Sequence, residues 1–248
     1  MKAGLTWKGR SLAVLAAAFG IAAAMPTVST PAVAQDIEAS IARGGQLYDK
    51  WYKVNKATPP KQSHTAYPSA GKYAAKPGTN WRCKECHGWD AKGKDGAYAK
   101  GKHYTGIKGI GSYAGAEPAA IIAILTGPLH GFTGAMMSER DLEDVALFVS
   151  KGTVDMDRYI DRSTRKSKGD KAKGAAYYDT VCAKCHGLTG VKIREMEPMG
   201  AAANGNPWEV LHKILNGQPD ERMPALRAFD RQIAADILAY IQTLPQRR

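Results

Sequence analysis

The chain has 248 residues, with 35 Lys plus Arg against 23 Asp plus Glu, a formal charge of +12 and 44% hydrophobic residues. That length fits one large domain or two small ones, and small domains need reinforcement beyond their own core. The basic balance suits an acidic protein or an anionic lipid, and the absence of a zinc-finger or RNP-like pattern argues against nucleic acid as a partner.

The first predicted element is a leader. Lys2, Lys8 and Arg10 precede a largely apolar run from Leu12 to Ala24, and Ala32-Val33-Ala34 follows. A basic region, an apolar region and a small-residue cleavage site in that order read as a secretory signal peptide over residues 1–34. The apolar run falls short of the roughly 20 residues that a membrane-crossing helix needs. Cleavage after Ala34 is therefore expected to leave 214 residues (248 minus 34) with no integral span. The mature chain, at +9 (32 minus 23), is expected in the bacterial periplasm, soluble or peripherally associated with the membrane.

Gly44 and Tyr48 come next, four apart and hence on one face of a predicted helix. A stretch rich in Pro, Lys and Tyr then runs from Asn55 to Asn80. Such a connection inside a compact unit reads as an inserted functional loop, spanning about residues 53–80 and expected to wrap the first centre. It ends at Cys83-Lys84-Glu85-Cys86-His87, with Trp81 and Trp89 on either side, where both tryptophans are expected to pack against a bound group. A Gly-rich stretch over residues 90–115 lacks the pattern of a nucleotide loop. Helices are predicted from Pro118 to Leu125 and from Ser138 to Val149, with His130, Met136 and Met137 between them.

A basic stretch, Arg162 to Lys173, leads into a second copy of the pattern. Gly174 and Tyr178 repeat the Gly44 and Tyr48 spacing, and Cys182-Ala183-Lys184-Cys185-His186 repeats the cysteine motif. Helices are predicted from Pro207 to Leu215 and from Asp230 to Ile241, with Met223-Pro224 in the loop between them. Tyr178 precedes Cys182 by four residues whereas Tyr48 precedes Cys83 by 35, so the first copy alone carries the insert.

Cys-x-x-Cys-His is a haem attachment signal. Two thiols at that spacing reach two vinyl positions on one side of a porphyrin, and the adjacent histidine meets the iron. Disulfide, thiol-redox and zinc readings of four cysteines do not explain the same histidine occurring twice. Two covalent c-type haems are therefore expected, held by Cys83, Cys86, Cys182 and Cys185, with His87 and His186 as proximal ligands. Met223 is the leading distal ligand of the second haem. Placing Ser138 opposite Asp230 sets Met223 opposite Gly131, which favours His130 as distal ligand of the first haem. Met136, His103 or an open position are the alternatives there.

These motifs, the Gly-x-x-x-Tyr helices, Met223-Pro224 and the paired closing helices resemble diheme members of the class I cytochrome c family, including cytochrome c4-like electron carriers. The resemblance implies a mainly all-α chain of two tandem haem domains with long irregular loops. The first is expected over residues 35–160, a basic linker over 161–169 and the second domain over 170–248. It implies one-electron transfer between periplasmic redox proteins through an internal relay, with an acidic docking partner or a larger oxidoreductase complex. The alternative is a haem subunit or catalytic oxidoreductase acting on a sulfur compound or peroxide.

Overall fold

The computed structural model describes residues 32–248, without the side chains of residues 32–36, together with Met1 and Gly4. The leader's basic residues and apolar run lie outside the described residues. Among these residues the fold is all-α: ten helices, short 3₁₀ and π turns and two isolated bridges, with no β-sheet. No helix among them is long and apolar enough to cross a membrane.

The N-terminal lobe opens with α1 (Ala32–Val54), which breaks at Lys50, where φ is −157° and ψ 73°. The insert follows, closed by the single turn α2 (Pro77–Asn80), and the first cysteine motif forms α3 (Cys83–His87). Helix α4 (Pro118–Thr126) starts with proline at N1, where its missing N–H costs no hydrogen bond. Helix α5 (Glu139–Leu147) begins with a capping box, Ser138 and Asp141 each satisfying the other's backbone N–H, and passes into a π turn at Phe148–Gly152. Leu47, Trp51, Met137, Val145 and Ala146 are nearly inaccessible in the core these helices enclose.

The C-terminal lobe comprises α6 (Lys171–Val181), the second cysteine helix α7 (Ala183–His186), α8 (Met199–Gly205), α9 (Pro207–Asn216) and α10 (Arg231–Ile241). Asp170, Asn206 and Asp230 cap α6, α9 and α10 through side-chain oxygens that accept from the first turn. Tyr178, Leu211, Leu215, Ile237, Leu238 and Ile241 fill its core.

The two lobes share one crossing. A Cβ on Gly44 would overlap the Asp144 carbonyl of α5, and a Cβ on Gly174 would overlap the Asp236 carbonyl of α10. Only glycine permits so close an approach of the backbones. This is the physical content of the repeated glycine four residues before tyrosine.

The lobes also interlock. Trp89 and Tyr98, which follow the first cysteine motif, are buried in the C-terminal core together with Met156 and Ile160. The basic stretch is therefore docked rather than solvated: Arg162 pairs with Asp90 and Asp157 at 3.0 and 2.6 Å, and Ser167 Oγ donates to the Ala235 carbonyl. Helix α9 packs on α1 from the other lobe, where His212 Nε2 lies 2.9 Å from the Gly45 carbonyl and Gln46 Nε2 donates to the Asn216 carbonyl.

Candidate functional site

Each cysteine motif is a short helix hung from the tyrosine of its lobe. Tyr48 Oη donates to the Gly88 carbonyl at 2.6 Å, and Tyr178 Oη donates to the Gly187 carbonyl at 2.7 Å. Both glycines have positive φ, 76° and 77°, and turn the chain sharply after His87 and His186. The histidine carbonyls then accept from Gly93 N–H at 2.8 Å and Lys192 N–H at 3.1 Å. The repeat thus reproduces a set of hydrogen bonds around each attachment histidine, and the glycine, tyrosine and histidine positions were all visible in the sequence.

The N-terminal motif opens onto a cavity of about 380 Å³ lined by Cys83, Cys86, His87, His130, His64 and Trp81, among mainly apolar neighbours. Helix α3 supplies the first three, the loop after α4 supplies His130, and the insert supplies His64. His87 Nδ1 bonds the Lys108 carbonyl at 2.9 Å, and His130 Nδ1 bonds the Ile124 carbonyl at 3.2 Å. With Nδ1 engaged in each ring, Nε2 is the nitrogen left for a metal. The ring centres are 6.3 Å apart. A metal–imidazole bond of about 2 Å, plus slightly more than 1 Å from nitrogen to ring centre, puts two rings sharing one metal about 6 Å apart. Burial pushes His87 down to about 4 and lowers His130 as well, which favours the neutral imidazole in both rings.

The thiols do not resemble a working dithiol. Burial raises Cys83 and Cys86 to about 12 and Cys182 to about 11, whereas thiol–disulfide chemistry requires lowered values. All four cysteines are free of disulfides. Among the described residues no group of three or more His, Cys, Asp or Glu is placed to hold a metal ion. A haem fits this donor set: unactivated thiols and an imidazole on one wall, a second imidazole opposite and an apolar lining between.

Between the first pair of cysteines lies a buried charge cluster. Glu85 is held between Lys84 and His103, each 2.6 Å away. Burial opposes its charge, but His103 and Lys84 hold its carboxyl below the ordinary range. His103, considered above as a ligand, is thus committed to Glu85 and stacks on Tyr98 at 4.5 Å.

The remaining candidates divide. Met136 packs on the N-terminal core and its carbonyl accepts from Asn55; it does not line the cavity. Trp81 lines the cavity, but Trp89 departs from the expected position. The turn at Gly88 sends its ring into the C-terminal core, 5.0 Å from His212. His64 is buried in the cavity wall, a place set by how the insert folds back and not by any local pattern around it.

In the C-terminal lobe Cys185 is exposed, Cys182 is half-buried and His186 Nδ1 is buried without a hydrogen-bond partner. Met223 is half-buried on the loop between α9 and α10 and does not pack into the core. Its thioether is left uncommitted by that packing.

Two Cys-x-x-Cys-His helices, each tied to a Gly-x-x-x-Tyr helix, define a cytochrome-related redox protein with cysteine pairs suited to c-type haem attachment. More particularly, residues 169–241, under half of the chain, match the family model described as cytochrome C oxidase, cbb3-type, subunit III. No curated protein matches the chain. The family match corrects the cytochrome c4-like resemblance. It covers the second cysteine motif, the Gly174–Tyr178 helix, Met223-Pro224 and the second closing helix, which are half of the features that carried that resemblance. Those features suit haem attachment and a close helix crossing, and neither specifies the family around them.

Proposed function

We propose that the chain is an exported two-haem module, acting as an electron-carrying subunit or carrier that passes single electrons between periplasmic redox proteins, with its two centres in series. Haem supplies a one-electron iron couple at each site. The observation that carries this reading is the pair His87 and His130, facing across a cavity that both Cys83 and Cys86 enter.

On this reading the chain forms two haem domains, residues 35–160 and 170–248, joined by the basic segment 161–169. Cys83 and Cys86, and Cys182 and Cys185, hold the porphyrins. His87 and His130 ligate the first iron, and His186 and Met223 the second. Trp81 and the apolar lining keep water from the first centre, while the Lys108 and Ile124 carbonyls hold its two imidazoles in one tautomer. The family match over residues 169–241 supports a place in a larger oxidoreductase, and the basic balance suits an acidic docking partner.

Mass spectrometry and haem quantification of the purified protein test the reading. Two covalent haems are expected, with one lost in C83A/C86A and one in C182A/C185A. A reductive titration should show two one-electron steps, and H130A should turn the first haem high-spin while M136A should not. A single haem, or a first haem that stays low-spin in H130A and becomes high-spin in M136A, would overturn this assignment.

A further inference from the structure

We propose that the Gly-rich stretch is a clamp on His87, built on positioning residues Gly93 and Gly109, that lowers the potential of the first centre relative to the second. The inference rests on His87 and His186 as the two proximal ligands. Two segments of the stretch run against each other. Lys94 N–H donates to the Ile107 carbonyl and Ile110 N–H to the Ala91 carbonyl, each at 2.8 Å, and Gly93 pairs with Lys108 in an isolated antiparallel bridge. A Cβ on Gly93 would overlap the Ile107 carbonyl, and a Cβ on Gly109 would overlap the Ala91 carbonyl. Glycine on both sides is what lets these backbones lie so close.

Each half of this bridge holds one end of His87. From the first segment Gly93 N–H donates to the His87 carbonyl at 2.8 Å, and from the second the Lys108 carbonyl accepts from His87 Nδ1 at 2.9 Å. The ring is thereby fixed against its own backbone. A carbonyl on Nδ1 raises the basicity of the imidazole at Nε2, and a stronger donor favours ferric iron over ferrous. The second motif has half of this arrangement. The His186 carbonyl accepts from Lys192 N–H at 3.1 Å, but His186 Nδ1 is buried and has no partner among the described residues. His186 is therefore the weaker donor, and its centre the stronger oxidant. One electron then passes downhill, the first centre being oxidised and the second reduced, with no proton or ligand moving alongside it.

The test is a redox titration of the holoprotein and its G93A, G109A and G111A variants, with C83A/C86A and C182A/C185A assigning each step to a haem. Gly111 belongs to the same stretch, but a Cβ there meets open space. Loss of an outer partner of a metal ligand costs about tenfold or more, and tenfold in a one-electron couple is ~59 mV. G93A and G109A should raise the potential of the first haem by about that amount or more and leave the second unchanged, with G111A like the parent. A second measurement needs only the parent holoprotein, with isotope-labelled histidine. By NMR, the His87 Nδ1–H should exchange with water about fivefold or more slowly than the His186 Nδ1–H, which has no hydrogen bond to break. Should the crowded variants fail to fold, the exchange rates decide. If the first potential in G93A and G109A equals that in G111A, or if the two Nδ1–H groups exchange alike, the clamp is refuted although the ligand reading stands. If H87A keeps its first haem low-spin at the parent's potential, His87 is not the ligand, and the reading beneath the proposal fails with it.

Discussion

Gly44 and Gly174 each occupy a point where another helix's carbonyl leaves no room for a side chain. Crowding of that kind costs about 1–3 kcal/mol even for one added methyl group. Gly44→Ala and Gly174→Ala should each lower the stability of the corresponding lobe by about that amount, read as a lower denaturant midpoint. Tyr48→Phe and Tyr178→Phe should each cost about 1 kcal/mol, because the glycine carbonyl after the attachment histidine loses its donor. All four residues were legible in the sequence, since a glycine four residues before a tyrosine occurred twice in the same relation to a predicted helix. Trp89 was not. It adjoins the first motif in sequence, but positive φ at Gly88 reverses the chain and directs the ring to the other lobe. His64 was equally hidden, because its neighbours, Trp81 and His130, are distant along the chain and meet it only once the insert folds back.

At the scale of elements, the helices form where apolar periodicity and caps placed them, and α5 shows why. Ser138 and Asp141 satisfy each other's backbone N–H, so the helix start is written locally in the sequence. Ser138→Ala should cost about 1 kcal/mol, measured by thermal unfolding, with the first lobe losing cooperativity before the second. The Gly-rich stretch and the insert were legible only as loops. Their course is set by long-range bonds such as His87 to the Lys108 carbonyl and Asn55 to the Met136 carbonyl, and no local pattern encodes those partners. Within the insert the buried Asn80 ties its side chain to Tyr73, Ala74 and His64. Asn80→Ala should leave these groups unpaired and speed proteolysis of residues 55–80, with the C-terminal lobe unaffected.

At the scale of the whole molecule, buried polar groups join the lobes. Asp49 of α1 meets Arg82 and, across the interface, Lys213 of α9 at 3.1 Å. Burial raises its proton affinity, but Lys213 and Arg82 prevail and hold it at about 2. His212 of α9 is pushed to about 4 by burial, against the opposing effects of Asp49 and its bond to Gly45. Both folded values lie below the unfolded ones, so both contributions are present at neutral pH and are lost on acidification. For His212 the loss runs from the ordinary value of 6.5 down to about 4; for Asp49 it runs from 3.8 down to about 2. Stability should therefore fall as pH drops below about 6.5, and His212→Gln should flatten the upper part of that profile in thermal melts from pH 7 to 4. If the variant follows the parent profile throughout, the interface histidine does not govern it.

The placement of Trp89 and Tyr98 also bears on the order in which the protein can mature. The segment that leaves the first cysteine helix is buried among residues that follow it by more than fifty positions, in the core closed by α9 and α10. A chain emerging N-terminus first therefore presents Trp89 and Tyr98 before the core that buries them exists. Trp89 and Tyr98 gain the partners that bury them only when α9 and α10 arrive. A chain ended at Gly152 should accordingly show red-shifted tryptophan fluorescence relative to the full-length protein, because Trp89 loses the core that buries it.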